Sequence, residues 1–168
     1  MFHPEGPTLF ELARQALSST ERGYDLLAPK FEHTPFRTPD AVLEPVVERL
    51  STRGPYRQIL DVCCGTGAAM RLLRPLASTS VVGLDLSANM LEEARKSLAH
   101  APGEAAVELV RGDALAIPFE GRFELVTSFG AFGHIAEADE PRFVASIARA
   151  LGPGGRFVFV TSEPPPAW

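Results

Sequence analysis

The sequence predicts an α/β fold: a doubly wound, mostly parallel sheet of about five strands, with helices on both faces and a helical segment in front. Three observations predict it. From residue 56 onward, short apolar runs alternate with amphipathic stretches of roughly ten residues, the pattern of βαβ units. The run Gln58-Ile59-Leu60-Asp61-Val62 leads through a small-residue turn, Cys63-Cys64-Gly65-Thr66-Gly67, into Ala68-Ala69-Met70-Arg71-Leu72-Leu73 at helical spacing. Carboxylates, Asp61, Asp85 and Asp113, stand at the ends of three successive strand runs. In open parallel sheets ligands sit outside those ends, where strand order reverses.

The bulk properties bound what the chain can be. Its 168 residues suit one domain with a single core. Within it, residues 1–55 read as an N-terminal helical cap region and 56–168 as the core. Hydrophobic residues at 45% and charged ones at 22% mark a globular chain, not a disordered one. A net charge of −5 with no basic run excludes an electrostatically driven nucleic-acid binder. The two cysteines are adjacent, so a disulfide framework is excluded, and no Cys/His spacing supports a metal. No stretch is apolar enough to span a bilayer, and the early acid and prolines do not read as a signal peptide. A soluble cytoplasmic protein without membrane contact is therefore expected.

Each element follows from its residues. Residues 1–7, with two prolines and a glycine, read as irregular. Thr8 and Glu11 have capping-box spacing, and Leu9, Leu12, Ala13, Ala16 and Leu17 share one helical face. A second short helix over 21–30 aligns Tyr24, Leu27 and Phe31. Thr38 and Pro39 start a third helix reaching Leu50, which should bury Val42, Val46, Val47 and Leu50 and be kinked or delayed by Pro45. Strands are expected over 58–62, 80–84, 106–110, 123–128 and 156–160, with helices over 67–76, 88–100 and 140–151. Ser87 caps the helix that turns Met90, Leu91, Ala94 and Leu98 inward, and Pro102-Gly103 stops it. Gly152-Pro153-Gly154-Gly155 reads as the turn before the last strand, and Pro164-Pro165-Pro166 cannot continue a ladder.

The chemistry concentrates at the first turn. Gly65 and Gly67 tolerate positive φ and allow close approach of a ligand, and free N–H groups there would suit a carboxylate-bearing ligand. After the fourth strand comes Phe129-Gly130-Ala131-Phe132-Gly133-His134, where His134 is the candidate general base for a hydroxyl acceptor.

On the acid and glycine turn at 61–67 and the second acid at Asp85, the chain resembles class I S-adenosylmethionine-dependent methyltransferases over residues 58–160. Cys63 stands where their motif has its first glycine, a variation similar to that of some quinone-type methyltransferases. The resemblance implies a Rossmann-like fold, S-adenosyl-L-methionine as cofactor and a small-molecule methyl acceptor as partner. It implies that Gly65 and Gly67 line the methionine moiety and that Asp61 helps to hold its ammonium. By the same resemblance Asp85 accepts both ribose hydroxyls, Leu86 packs on the adenine, Asp113 and Ala114 bond the adenine, and Phe129 lines the pocket. Tyr24, Cys63 and Met90 complete the implied cofactor-binding set, and Tyr24-Asp25 and Phe36 lie in the region that covers the site in such proteins.

Such proteins usually have seven strands, whereas this chain ends soon after the fifth. Phe157-Val158-Phe159-Val160 would then form an apolar edge. A shortened chain, a homodimer through the strand-five edge and an exchange of N-terminal helices would each account for it. Two other functions stay open. A nicotinamide-dependent oxidoreductase would need Gly-x-Gly-x-x-Gly, but Met70 holds the third glycine position. A non-catalytic adenosylmethionine-binding module is the other.

Overall fold

A computed structural model describes residues 4–161. The proline run at 164–166 lies outside the described residues. The sheet comprises β1 (Tyr56–Val62), β2 (Ala77–Asp85), β3 (Ala106–Arg111), β4 (Phe123–Phe129) and β5 (Leu151–Val160). All neighbours are parallel, in the order β3-β2-β1-β4-β5. Strand order therefore reverses between β1 and β4, where Asp61 lies opposite Thr127.

The helices are α1 (Leu9–Ala16), α2 (Thr20–Leu27), α3 (Asp40–Ser51), α4 (Ala68–Leu73), α5 (Ala88–Leu98) and α6 (Glu140–Ala150). Alternation along β1 sends Ile59 to one face and Leu60 to the other. Ile59 joins Leu43, Leu50, Leu73, Leu91 and Leu98, which come from α3, α4 and α5. Leu60 joins Leu84, Phe123, Val126, Phe143 and Ile147, the last two from α6. Burial on both faces is what near-continuous apolar strands require. Among the described residues, no helix is long and apolar enough to cross a membrane.

Several expectations are corrected. The helix expected to begin at Pro39 has Pro39 as its N-cap and begins at Asp40, running on through Pro45. It buries Leu43, Val47 and Leu50, while Val42 is 40% exposed, so the inward stripe is turned by one residue. Thr38 caps nothing there; its hydroxyl donates to the Phe129 carbonyl at 3.3 Å. The glycine-proline turn before the last strand is absorbed into β5 as an irregularity, the register passing from Phe123↔Leu151 to Leu125↔Arg156. A Cβ on Gly155 would lie 2.8 Å from the Phe123 carbonyl oxygen, so only glycine fits where the chains come closest.

The capping box of α1 forms, with Thr8 N–H donating to Glu11 at 2.7 Å and Glu11 N–H to Thr8 Oγ1 at 3.3 Å. Its apolar face is nevertheless solvent-facing: Leu9 is 71%, Phe10 77% and Leu17 90% exposed. The reason is placement, because α1 packs against α2 rather than the sheet. β5 lies at the edge of the described sheet, with Phe159 stacked on Phe157 and Phe132.

Beneath the glycine turn, Gly83 of β2 leaves space for Met70 and Cys64; a Cβ there would fall 2.4 Å from Met70 Sδ and 2.8 Å from Cys64 Sγ. Gly83→Ala is expected to lower stability by roughly 1–3 kcal/mol through overpacking, read as a lower urea midpoint at unchanged slope. An unchanged midpoint would show that Met70 yields the space freely.

Candidate functional site

The site begins where β1 ends. Cys63, Gly65 and Gly67 take φ of +57°, +52° and +81°. Gly67 is in this conformation at the start of α4, and a Cβ on it would come 3.1 Å from Leu98 Cδ1, so it lets α5 pack onto the turn. Cys63 adopts the left-handed conformation without being glycine, at a cost of about 1–2 kcal/mol. This is the position where the resembled motif has a glycine.

Three of the turn's N–H groups, expected to be free, are engaged within the protein. Cys64 N–H donates to the Leu84 carbonyl at 3.1 Å and Gly67 N–H to the Cys64 carbonyl at 3.0 Å. Gly65 N–H donates to Asp85 Oδ2 at 2.8 Å, while Asp85 Oδ1 accepts from Ser87 N–H at 2.9 Å. Burial pushes the Asp85 pKa up, and the N–H groups of Ser87, Gly65 and Leu86 oppose that shift.

Asp61 is 2% exposed. Thr127 O–H donates to its Oδ1 at 2.8 Å, the one side-chain hydrogen bond the Asp61 carboxylate makes among the described residues. Burial pushes its pKa up to about 7, the Thr127 bond opposing and the Asp85 charge adding to the rise.

Over these strand ends lies a cleft of about 460 Å³. Asp85, Leu86 and Met90 line it from the β2–α5 side, Asp113 and Ala114 from beyond β3. Cys63, Gly65 and Phe129 form the part over the reversal point, and Tyr24 and His134 the opposite wall. Asp61 instead lines a smaller cavity of about 70 Å³ behind the turn, which shares Cys63, Gly65 and Phe129 with the cleft. Gly67 lines neither; it faces α5. Asp113 accepts the Leu115 N–H at 2.8 Å and so caps the 3-10 turn Ala114–Ala116.

The N-terminal segment is stapled across the cleft. Asp25 of α2 accepts from Ser87 O–H at 2.5 Å and Asn89 N–H at 3.2 Å, and Glu32 pairs with Thr66. Glu21 pairs with Arg111. These contacts bring Tyr24 edge-on to His134, ring centres 6.2 Å apart, and equally near Phe31. Burial foremost, with the Asp85 charge adding to it, raises the Tyr24 phenol pKa, so it stays neutral. Burial likewise holds the Cys63 and Cys64 thiols far above their usual range.

Sequence reasoning missed Thr127 and Phe31. A threonine in an apolar strand carried no signal of the acid opposite it, and Phe31 read as helix packing.

The folded-state pKa of Asp61 lies above its ordinary value of 3.8. The folded protein thus holds this proton more tightly than the unfolded chain. The resulting stability is complete below about pH 4 and is lost as pH rises through about 7. Asp61→Asn keeps the shape without the charge. It is expected to match the parent near pH 4 and exceed it near pH 8 by on the order of 4 kcal/mol in urea denaturation. Parallel stability curves for the two proteins would refute this titration.

Comparison with known proteins agrees with the architecture. A family model described as a methyltransferase domain matches residues 59–155. The chain is similar to the demethylmenaquinone methyltransferase of Symbiobacterium thermophilum, at 36% identity over 66% of this chain and 45% of that protein. It is also similar to the demethylmenaquinone methyltransferase of Thermus thermophilus, at 40% identity over 66% and 49%. It thus spans about half the length of the curated relatives it matches. Among solved structures, the DhpI–SAH complex superposes with a TM-score of 0.72 at 25% identity, covering 92% of this chain and 71% of that one. The glycopeptide N-methyltransferase MtfA complexed with (S)-adenosyl-L-methionine gives 0.59 at 30% identity, covering 68% and 48%. The family match covers more than half of the chain, across the strands and turns that build the cleft: this chain belongs to the methyltransferase domain family.

Proposed function

We propose that the cleft binds S-adenosyl-L-methionine and that the chain transfers its methyl group to a small-molecule acceptor by in-line displacement. The observation that carries this reading is the pair of carboxylates flanking the turn at the strand-order reversal, one of them, Asp61, buried with a single protein donor beside a small cavity. A buried carboxylate so weakly satisfied is suited to a cationic group of a ligand. The solved neighbours DhpI, in complex with SAH, and MtfA, in complex with (S)-adenosyl-L-methionine, support the same cofactor.

The residues present fit this cofactor. A carboxylate offers about four lone-pair positions, and on Asp85 the Gly65 and Ser87 N–H groups take one on each oxygen. The open positions would accept ribose hydroxyls. Asp61 would face the ammonium, Gly65 and Cys63 the methionine portion, and Leu86, Met90, Asp113 and Ala114 the adenine. When bound, the cofactor supplies a methyl group on a positively charged sulfur, which departs as a neutral thioether. The protein's task is then to hold the two partners in line and exclude water, work that positioning alone advances greatly. The neutral Tyr24 ring and Phe129 would face the positive sulfur. His134 would accept the proton released by a hydroxyl acceptor.

Isothermal calorimetry should give binding heat with S-adenosylhomocysteine and none with NAD, and Asp85→Ala should weaken the former at least about 10-fold. Absence of both heat and a melting shift in the parent would overturn the cofactor assignment. His134→Ala should lower methyl transfer by about 10²-fold while leaving S-adenosylhomocysteine affinity unchanged. Undiminished turnover would remove His134 from the reaction.

A further inference from the structure

The cleft continues past Tyr24 and His134. A second cavity of about 230 Å³ adjoins it beneath the α1–α2 connection, and the two share Thr20, Tyr24, Phe36 and His134. The rest of the outer cavity comes from Gln15, Ala16, Ser18 and Ser19. Its wall therefore offers hydroxyls, a carboxamide, two aromatic rings and an imidazole, with no Lys, Arg, Asp or Glu. Part of this polarity is already used within the protein. Ser18 O–H donates to the Arg14 carbonyl at 2.7 Å, and Ser19 Oγ accepts from Arg22 N–H at 3.4 Å. The Ser18 oxygen and the Ser19 proton are left for a guest.

The charge of the inner cleft points the same way. Glu21, Asp85, Asp113 and Asp139 line it, and neither Lys nor Arg does; Arg111 pairs with Glu21 and Arg142 with Asp139 from outside the lining, which leaves Asp85 and Asp113 without a cationic side chain among the described residues. An anionic guest in the outer cavity would lose water, gain no counter-charge from the lining and face Asp85 and Asp113. An uncharged ring would lie against Phe36 and the Tyr24–His134 pair, whose rings meet edge to face at 87°. The volume falls below the ~300–1,000 Å³ typical of drug-sized ligands, which suits one or two rings.

We propose that this outer cavity is the acceptor site and that it selects uncharged, ring-bearing small molecules over anionic ones. The proposal rests on the inner cleft being the cofactor site. Entry past Phe36 would bring the acceptor's nucleophile to the Tyr24–His134 pair, on the common border of the two cavities.

The test uses the full chain saturated with S-adenosylhomocysteine and two probes of one ring system, 2-naphthol and its 6-sulfonate, with binding followed by calorimetry. 2-Naphthol should bind, and the sulfonate should bind at least about 10-fold more weakly. Ala16→Trp fills the outer cavity from an exposed helix position. It should weaken 2-naphthol at least about 10-fold while S-adenosylhomocysteine affinity changes less than about 2-fold, with a melting curve to verify folding. Equal or tighter binding of the sulfonate, no binding of 2-naphthol, or 2-naphthol binding untouched in folded Ala16→Trp would each overturn the proposal. The comparison of the two probes on the parent needs no variant. S-adenosylhomocysteine heat with no 2-naphthol heat refutes the acceptor site alone; loss of both refutes the cofactor site as well.

Discussion

The Asp85 carboxylate holds this site together. One oxygen takes the Gly65 N–H and the other the Ser87 N–H, so a single side chain joins the glycine turn to the start of α5. Without it, the Gly65 amide would lose its partner in a half-buried turn, at a cost of about 1–3 kcal/mol. The same two bonds fix the direction of the free lone pairs toward the cleft. A group that shapes the backbone is thereby already oriented for a ligand, which is how a site gains affinity without ordering anything on binding.

Ser87 carries this constraint outward. Its hydroxyl oxygen accepts the Met90 N–H at 3.1 Å, capping α5, while its proton goes to Asp25 on α2. The helix that packs on the turn and the helix that closes the cleft thus share one side chain. Asp25 in turn fixes Tyr24, its neighbour, in the wall between the two cavities. The N-terminal segment therefore reads as part of the site's construction as much as its cover. Its first helix is the exception: α1 stands off the sheet, with most of its apolar face exposed, and its last turn reaches the wall of the outer cavity.

Much of this was legible in the residues. Alternating apolar runs located all five strands, because a strand buried on both faces leaves a nearly unbroken apolar signature. Met90, Leu91, Ala94 and Leu98 are all buried as their spacing required. Asp85 and Asp113 could be placed at strand ends before any coordinates. What escaped depended on three-dimensional neighbours. Val42 and Leu43 are adjacent apolar residues, and which faces inward is decided by the sheet beneath. Gly152 and Gly155 looked like a turn, yet close approach to β4 draws them into the ladder. Of the amides expected to be free at the glycine turn, that of Gly65 is taken by Asp85, twenty residues on, a pairing that no local pattern announces.

Cys63 leaves the site with an unusual surface. Its left-handed backbone is a cost that glycine would avoid, yet glycine would also give the unfolded chain more freedom to lose. What cysteine adds is a soft, polarisable lining atom at the cleft floor. Because burial keeps that sulfur protonated, it contributes shape and dispersion with little nucleophilic character. Under the proposed function, an electrophilic alkyl donor in this cleft would meet a thiol too poorly ionised to be alkylated by it.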